Sequence, residues 1–421
     1  MGVGRSFCWP RRARYARALR RLCSCASAAV AVFLLFRGVC ALYPDRFRTP
    51  PPPAPDDAGP VTLLVWSHPF GRRGALPDCL RLYRIGGCAI TDDASAYRAA
   101  DAVIFHHREI ASGSARLPAE PRPRAQKWIW LNYESPTHTR RLWLLEGAFN
   151  LTMSYRSDSD IFLPYGYLLP RARTAEHGRA PPDELARPRR RLAAWVISNW
   201  SEKHARVAFY HRLRRYVQVD VYGRAGRPLP RAGGGGGGSV VRLAARYSFY
   251  LALENSQHTD YITEKLWNAV RAGAVPVVLG PPRRNYERFL PPEAFIHVDD
   301  FPTVRELARY LLALGRSPSR MRRHLDWRGG YSVHQPAFWA EHYCTACRAV
   351  RGGRGRTDVV QDLAHRNPLN ELMILQLLKP LMSVGYNGAD PEKTDPNGFK
   401  ERNLALEDLV DQEGPEDQSL L

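Results

Sequence analysis

The chain has 421 residues, enough for two domains with sizeable cores, and a formal charge of +20 from 61 Lys+Arg against 41 Asp+Glu. Such an excess of cations calls for an anionic partner: nucleic acid, a membrane surface or a phosphorylated ligand. The zinc-finger, RRM and KH signatures that would point to nucleic acid are missing.

Seven arginines and no acid precede residue 22, and no charge interrupts the small and apolar run Leu22–Phe36. After Arg37 the apolar character resumes to Tyr43, so Leu22–Tyr43 has about the ~20 residues that a bilayer requires. Arg37, near the far end, can snorkel to the interface. The reading is a cytoplasmic basic tail (1–21) and a transmembrane signal anchor (22–43). The rival is a signal peptide cleaved at Val39-Cys40-Ala41. Either route sends the rest of the chain into the secretory pathway. Residues 44–60 are proline-rich without apolar period and read as an extended stem.

From residue 61 strand and helix patterns alternate. Strands are predicted at 61–66, 100–107, 127–135, 159–168, 193–198, 217–223, 248–255, 275–280 and 294–300, and helices at 203–215, 262–272, 284–290 and 303–314. That alternation predicts an α/β protein of two doubly wound domains, 61–175 and 190–366, joined by an Arg/Pro/Ala-rich linker. Gly233–Gly238 lacks the spacing of a phosphate cradle and reads as a floppy surface loop. After residue 366 the charge reverses to eleven acids against four bases, and the tail 367–421 is expected to be largely disordered.

The most informative stretch is 249–280, FYLALENSQHTDYITEKLWNAVRAGAVPVVLG. A strand through Leu253 meets a polar turn at Glu254 and Asn255. A helix then follows from about Ile262, with Leu266, Ala269, Val270 and Gly273 on one buried face. Val275–Leu279 is an apolar run of the kind that forms a buried parallel strand. In such a β-turn-α-β unit the helix start favours a phosphate, and Glu264 and Lys265 stand there. A solvated first turn with an adjacent charge pair is the competing reading.

Four cysteines lie beyond the anchor: Cys79, Cys88, Cys344 and Cys347. Residue types alone allow a zinc site or any of three disulfide pairings, and an oxidising lumen favours disulfides. Asn150-Leu-Thr152 and Asn199-Trp-Ser201 are N-glycosylation sequons, Asn150 being the better candidate. Glu134 stands just after a strand beside Ser135-Pro136, where it reads either as a helix-capping surface carboxylate or as a base at a cleft rim. Arg206, on an early helical turn, has the fork that suits a phosphate. Asp158-Ser-Asp160 has the form of a DxD metal motif, and His106-His107-Arg108 follows a buried strand.

ENSQHTDYITEKLW followed by AGAVPVVLG resembles the donor-binding motif of the animal α-1,3-fucosyltransferase family, and the likeness runs over about residues 60–365. The resemblance implies two Rossmann-like domains of GT-B type behind a transmembrane helix, and transfer of L-fucose from GDP-fucose to N-acetyllactosamine-type glycans. It implies Glu134 as the catalytic base and Arg206 and Lys265 on the diphosphate. Asn199, Glu254, Asn255, Tyr261 and Glu264 would surround the rest of the donor, and Tyr222 would stand on the guanine side. It further implies that Arg108 selects Galβ1-4GlcNAc acceptors, that the disulfides are Cys79–Cys344 and Cys88–Cys347, and that no metal cofactor is obligatory. The partners so implied are GDP-fucose, glycoprotein and glycolipid glycans and a Golgi membrane, with homodimerisation left open and nucleic acid excluded.

Overall fold

The computed structural model of the chain describes residues 59–171, 189, 191–230, 236–353, 359, 360 and 363. The expected basic tail, anchor and acidic tail, most of the stem, and most of the linker before residue 191 lie outside the described residues. Among the described residues no helix is long and apolar enough to cross a membrane.

The first half runs β1 (Val61–Val65), α1 (Cys79–Tyr83), β2 (Cys88–Thr91), β3 (Ala102–His106), α2 (His107–Ser112), β4 (Lys127–Leu131), β5 (Leu151–Ser154) and β6 (Ile161–Phe162). Its strands form one parallel sheet in the order β2-β1-β3-β4-β5-β6. After β7 (Tyr167–Pro170), the second half runs β8 (Arg191–Ile197), α3 (Ala205–Leu213), β9 (Val219–Gly223), α4 (Gly236–Ala244) and β10 (Tyr247–Leu253). It continues with α5 (Glu264–Ala272), β11 (Val275–Leu279), α6 (Arg283–Tyr286), β12 (Ile296–His297) and α7 (Val304–Gly315). Its sheet is also parallel, in the order β12-β11-β10-β8-β9. Then come α8 (Pro318–Arg323), β13 (Tyr331–His334), antiparallel to β7, and α9 (Ala340–Gly352).

Both sheets obey the logic of strands covered on two faces. Every residue of β3, β4, β10 and β11 is buried, which is why these segments are largely apolar, with only His106, Lys127 and Ser248 as polar members near their ends. Helix α7 lays Leu307, Ala308, Leu311 and Leu314 onto the second sheet and starts at Thr303, whose hydroxyl accepts the Glu306 N–H. In each sheet the strand order reverses beside the first strand: between β1 and β3, and between β8 and β10. Such switch points open a crevice at the carboxyl ends of the strands. The segments after β4, β8 and β10 carry Glu134, Asn199 and Glu254 to those ends.

The disulfides are Cys79–Cys344 and Cys88–Cys347, the pairing that the resemblance implied. They hold α9 against α1 and β2. Leu363 belongs to the apolar core of the first half, so the last described residues return to the sheet on which the chain began.

Four expectations are corrected. Gly236–Gly238 are the first turn of α4 rather than loop, because the helix buries Val240, Leu243 and Ala244. Gly273 is the left-handed cap of α5 (φ 68°), donating to the carbonyls of Ala269 and Val270, and so it ends the helix instead of extending its face. The strand expected over 294–300 is the two-residue β12, followed by a short 3₁₀ turn. The helix expected over 284–290 is the single turn α6.

Candidate active site

Glu254 leaves the end of β10 and is 3% exposed. A carboxylate so deep needs donors, and Thr263 supplies them. The Thr263 N–H reaches Oε1 at 2.8 Å, and its hydroxyl reaches both oxygens at 2.9 and 2.8 Å. Lys265 stands 3.3 Å from Glu254 Oε2 and 3.2 Å from Glu264 Oε1, and donates to Thr263 Oγ1 at 3.1 Å. Burial raises the Glu254 carboxyl above its ordinary range, and the Lys265 charge opposes that rise. The helix start is therefore built as two carboxylates sharing one ammonium. Asn255, half-buried, receives the Ser256 hydroxyl at 3.2 Å.

Arg206, the second residue of α3, is 2% exposed and donates through Nη2 to the Asn199 carbonyl at 2.8 Å. That bond ties the turn after β8 to the helix start, so Asn199 and Arg206 form one unit. Tyr222 is placed differently. Its hydroxyl meets that of Tyr247 at 2.8 Å, and Tyr247 donates to Asp220 at 2.7 Å, which Arg191 holds at 2.9 Å. This network belongs to the body of the sheet; Tyr247 is the first residue of β10, at the end away from Glu254.

Glu134 follows β4, half-buried, in a turn clamped by Asn132. Asn132 Oδ1 accepts the Glu134 N–H at 3.2 Å, while its amide donates to the Glu134 carbonyl at 3.3 Å and to Thr139 at 2.9 Å. Three buried tyrosines lie between this turn and the loop after β10. Tyr155 packs its ring 5.2 Å from Tyr261 and 5.9 Å from Tyr165. Burial raises the Tyr165 phenol well above its ordinary value, and the charges of Glu134, Glu264 and Glu254 raise it further. Tyr155 also donates to the Glu134 carbonyl at 3.5 Å, so its side chain touches both the Glu134 turn and Tyr261, on the loop that leads from Glu254 to Glu264 and Lys265.

Sequence comparisons agree with this architecture. The family profiles "Fucosyltransferase, N-terminal" and "Glycosyltransferase family 10 (fucosyltransferase) C-term" match residues 58–166 and 186–366. The chain belongs to the α-1,3-fucosyltransferases of glycosyltransferase family 10. It is similar to human alpha-(1,3)-fucosyltransferase 4, at 45% identity over 75% of this chain and 66% of that one. It is also similar to human 4-galactosyl-N-acetylglucosaminide 3-alpha-L-fucosyltransferase FUT6, at 48% identity over 72% of this chain and 81% of that one. The chain thus spans slightly less than two thirds of the first of these relatives. A solved α1,3-fucosyltransferase with GDP-fucose superposes at a TM-score of 0.47 and 16% identity, over 75% of this chain and 96% of that one.

Arg108 lies half-buried with its guanidinium 4.7 Å from the Phe70 ring centre. Phe70 has a left-handed backbone (φ 58°), and its N–H donates to Glu109 Oε1 at 2.8 Å. Glu109 also bonds to His106. The rings of His106, Trp339 and Tyr133 continue the contact from Phe70 toward Glu134, at centroid distances of 5.5, 5.2 and 5.7 Å. Arg108 and Glu134 therefore sit along one aromatic wall.

Asp158 and Asp160 do not face a common point. Asp158 is bidentate to Arg156, and Asp160 accepts from the Thr152 N–H and hydroxyl. Among the described residues no group of three or more His, Cys, Asp or Glu is disposed to hold a metal ion. Asn150 Oδ1 accepts from the Trp128 N–H at 2.9 Å and from Arg122 at 3.1 Å, so this half-buried side chain bonds to both neighbours.

The residues missed by sequence reading are Tyr155, Tyr165, Thr263 and His258. The two tyrosines read as ordinary core aromatics. Thr263 and His258 lie inside the recognised motif, and the Thr263 hydroxyl does not cap α5 but bonds to Glu254.

Proposed function

We propose that this enzyme transfers L-fucose from GDP-β-L-fucose, with inversion, to the 3-hydroxyl of GlcNAc in N-acetyllactosamine-type glycans, giving Lewis x and sialyl Lewis x type products. The observation that carries the reading is that Tyr155 touches both the Glu134 turn and Tyr261, on the loop that leads from Glu254 to Glu264 and Lys265.

In this reading Glu134 takes the proton from the acceptor hydroxyl as its oxygen attacks the anomeric carbon. The bond from that carbon to the β-phosphate oxygen breaks, and the electron pair leaves with GDP. Arg206 and Lys265 stabilise the negative charge that develops on the diphosphate, helped by the amino end of α5. Lys265 is already paired with Glu254 and Glu264 before the diphosphate arrives. The pair keeps the ammonium positioned in the absence of donor, which lowers the reorganisation needed on binding. Asn199, Asn255 and Tyr261 complete the donor side, Tyr222 stands behind it in the sheet, and Arg108 selects Galβ1-4GlcNAc.

The same reading makes 22–43 a Golgi signal anchor, with a GT-B pair of domains at 61–175 and 190–366 held in the lumen behind the stem. Glycoprotein and glycolipid glycans are then the acceptors. The test is GDP release by the full chain supplied with GDP-fucose and Galβ1-4GlcNAc, Galβ1-3GlcNAc or no acceptor. Release dependent on the first acceptor supports the proposal. GDP binding without turnover on either acceptor would leave a nucleotide-sugar-binding homologue instead.

A further inference from the structure

The loop between β10 and α5 does more than carry donor-side residues. It makes two polar links to the first half. His258 Nε2 meets Thr137 Oγ1 at 2.6 Å, and Asp260 Oδ2 accepts the Ser157 N–H at 2.9 Å. Thr137 is three residues beyond Glu134, and the segment between them has little freedom. Pro136 begins a 3₁₀ turn, Ser135 Oγ bonds to His138 Nδ1 at 2.8 Å, and Thr139 Oγ1 donates to the Ser135 carbonyl at 2.8 Å. With Asn132 clamping the Glu134 backbone from the other side, a shift at Thr137 is passed to Glu134.

The far end of the link is equally fixed. His258 is 5% exposed, and its carbonyl accepts the Tyr261 N–H at 3.1 Å. Asp260, two residues on, has a left-handed backbone (φ 62°), a strained conformation for a non-glycine residue. It is held there by Asn285 Nδ2 at 2.6 Å and by Arg288 at 2.9 Å. The His258 imidazole is thus presented from a braced loop that ends on the donor-side residues Tyr261, Glu264 and Lys265.

We propose that His258 is a positioning residue: through Thr137 it sets the place of the Glu134 carboxylate relative to the donor loop. Donor binding and base placement are then properties of one loop. The proposal rests on Glu134 being the base, and the experiment separates the two ideas.

The full chain would be assayed as wild type and as Thr137→Val, His258→Phe, His258→Gln, Thr137→Val/His258→Phe and Glu134→Gln. Thr137→Val keeps the shape of an exposed residue and removes only the hydroxyl. We expect Thr137→Val and His258→Phe each to lower kcat about tenfold, since small displacements of a catalytic group have large kinetic cost. The donor KM should stay within about twofold of wild type, because only transition-state interactions are lost. The double variant should be no slower than the slower single variant, as expected when both substitutions cut the same bond. His258→Gln, whose amide can reach Thr137, should recover most of the rate. Wild-type kcat in Thr137→Val, or kcat and donor affinity falling together with the melting midpoint, would overturn the proposal. An active Glu134→Gln variant would instead overturn the base assignment.

Discussion

Replacing Glu254 by Gln keeps the side chain's size and removes its charge at a position 3% exposed. Two consequences can be sized. The Thr263 N–H can keep its bond to the amide oxygen. The new NH₂ then faces the Thr263 hydroxyl and the Lys265 ammonium, which stood 2.8 and 3.3 Å from the lost oxygen. A hydrogen bond to a charged group contributes about 1.5–3 kcal/mol, and breaking a buried ion pair costs about 3–5 kcal/mol. Two facts lower the sum. Glu264 remains 3.2 Å from Lys265, and burial already raises the Glu254 carboxyl, so the charge removed was poorly solvated. The expected loss is about 2 kcal/mol of stability. The same substitution leaves Lys265 less firmly held, so GDP affinity should fall about tenfold, or about 1.4 kcal/mol. Thermal melting with and without GDP reads the first quantity, and calorimetric titration of GDP reads the second. Unchanged GDP affinity beside a lowered melting midpoint would refute the idea that Glu254 presents Lys265 to the diphosphate. An unchanged midpoint would refute the energetic assignment itself.

Two further predictions concern stability. His107 and His258 are pushed down to about 4, and His342 to about 3, chiefly by burial. Each is neutral when folded at neutral pH and protonates near 6.5 once unfolded, so the unfolded chain binds more protons below that value. Stability should therefore fall as pH drops from about 6.5 to about 4, by roughly 3 kcal/mol for each of His107 and His258, and melting curves across that range check it. Gly280→Ala would place a Cβ 2.3 Å from the Tyr286 hydroxyl oxygen and 3.2 Å from Glu254 Cγ. Tyr286 is fully buried, so the clash should cost about 1–3 kcal/mol and displace Glu254, lowering the melting midpoint and GDP affinity together.

Parallel sheets made the fold legible. Strands such as Phe249–Leu253 and Val275–Leu279, buried on both faces, must be continuous apolar runs, and such runs stand out in a sequence. Short elements escaped for the opposite reason. Helix α1 has five residues and β2 four, with Leu80 and Leu82 exposed, so neither carries a period long enough to read. Helix α9 is polar in composition, yet Glu341, His342 and Thr345 are buried, because the two disulfides and the first sheet hold it. Its return to α1 was foreshadowed only by the cysteine pairing that the resemblance implied. On the site, residue types alone left the charges of ENSQHTDYITEK equally readable as a solvated first helical turn, and the family resemblance decided for a donor site. The tyrosines were not readable, since Tyr155 and Tyr165 gain their meaning from lying between two loops distant in sequence.

The most direct test of the account is the turnover of Glu134→Gln beside the wild-type chain, with GDP-fucose and Galβ1-4GlcNAc, together with its GDP affinity and melting midpoint. Loss of a general base predicts kcat lower by about 10²–10⁴-fold, with GDP affinity and melting close to wild type. Turnover at the wild-type rate would remove Glu134 from the chemistry, and with it the reading of the cleft between the two sheets as the place where fucose is transferred.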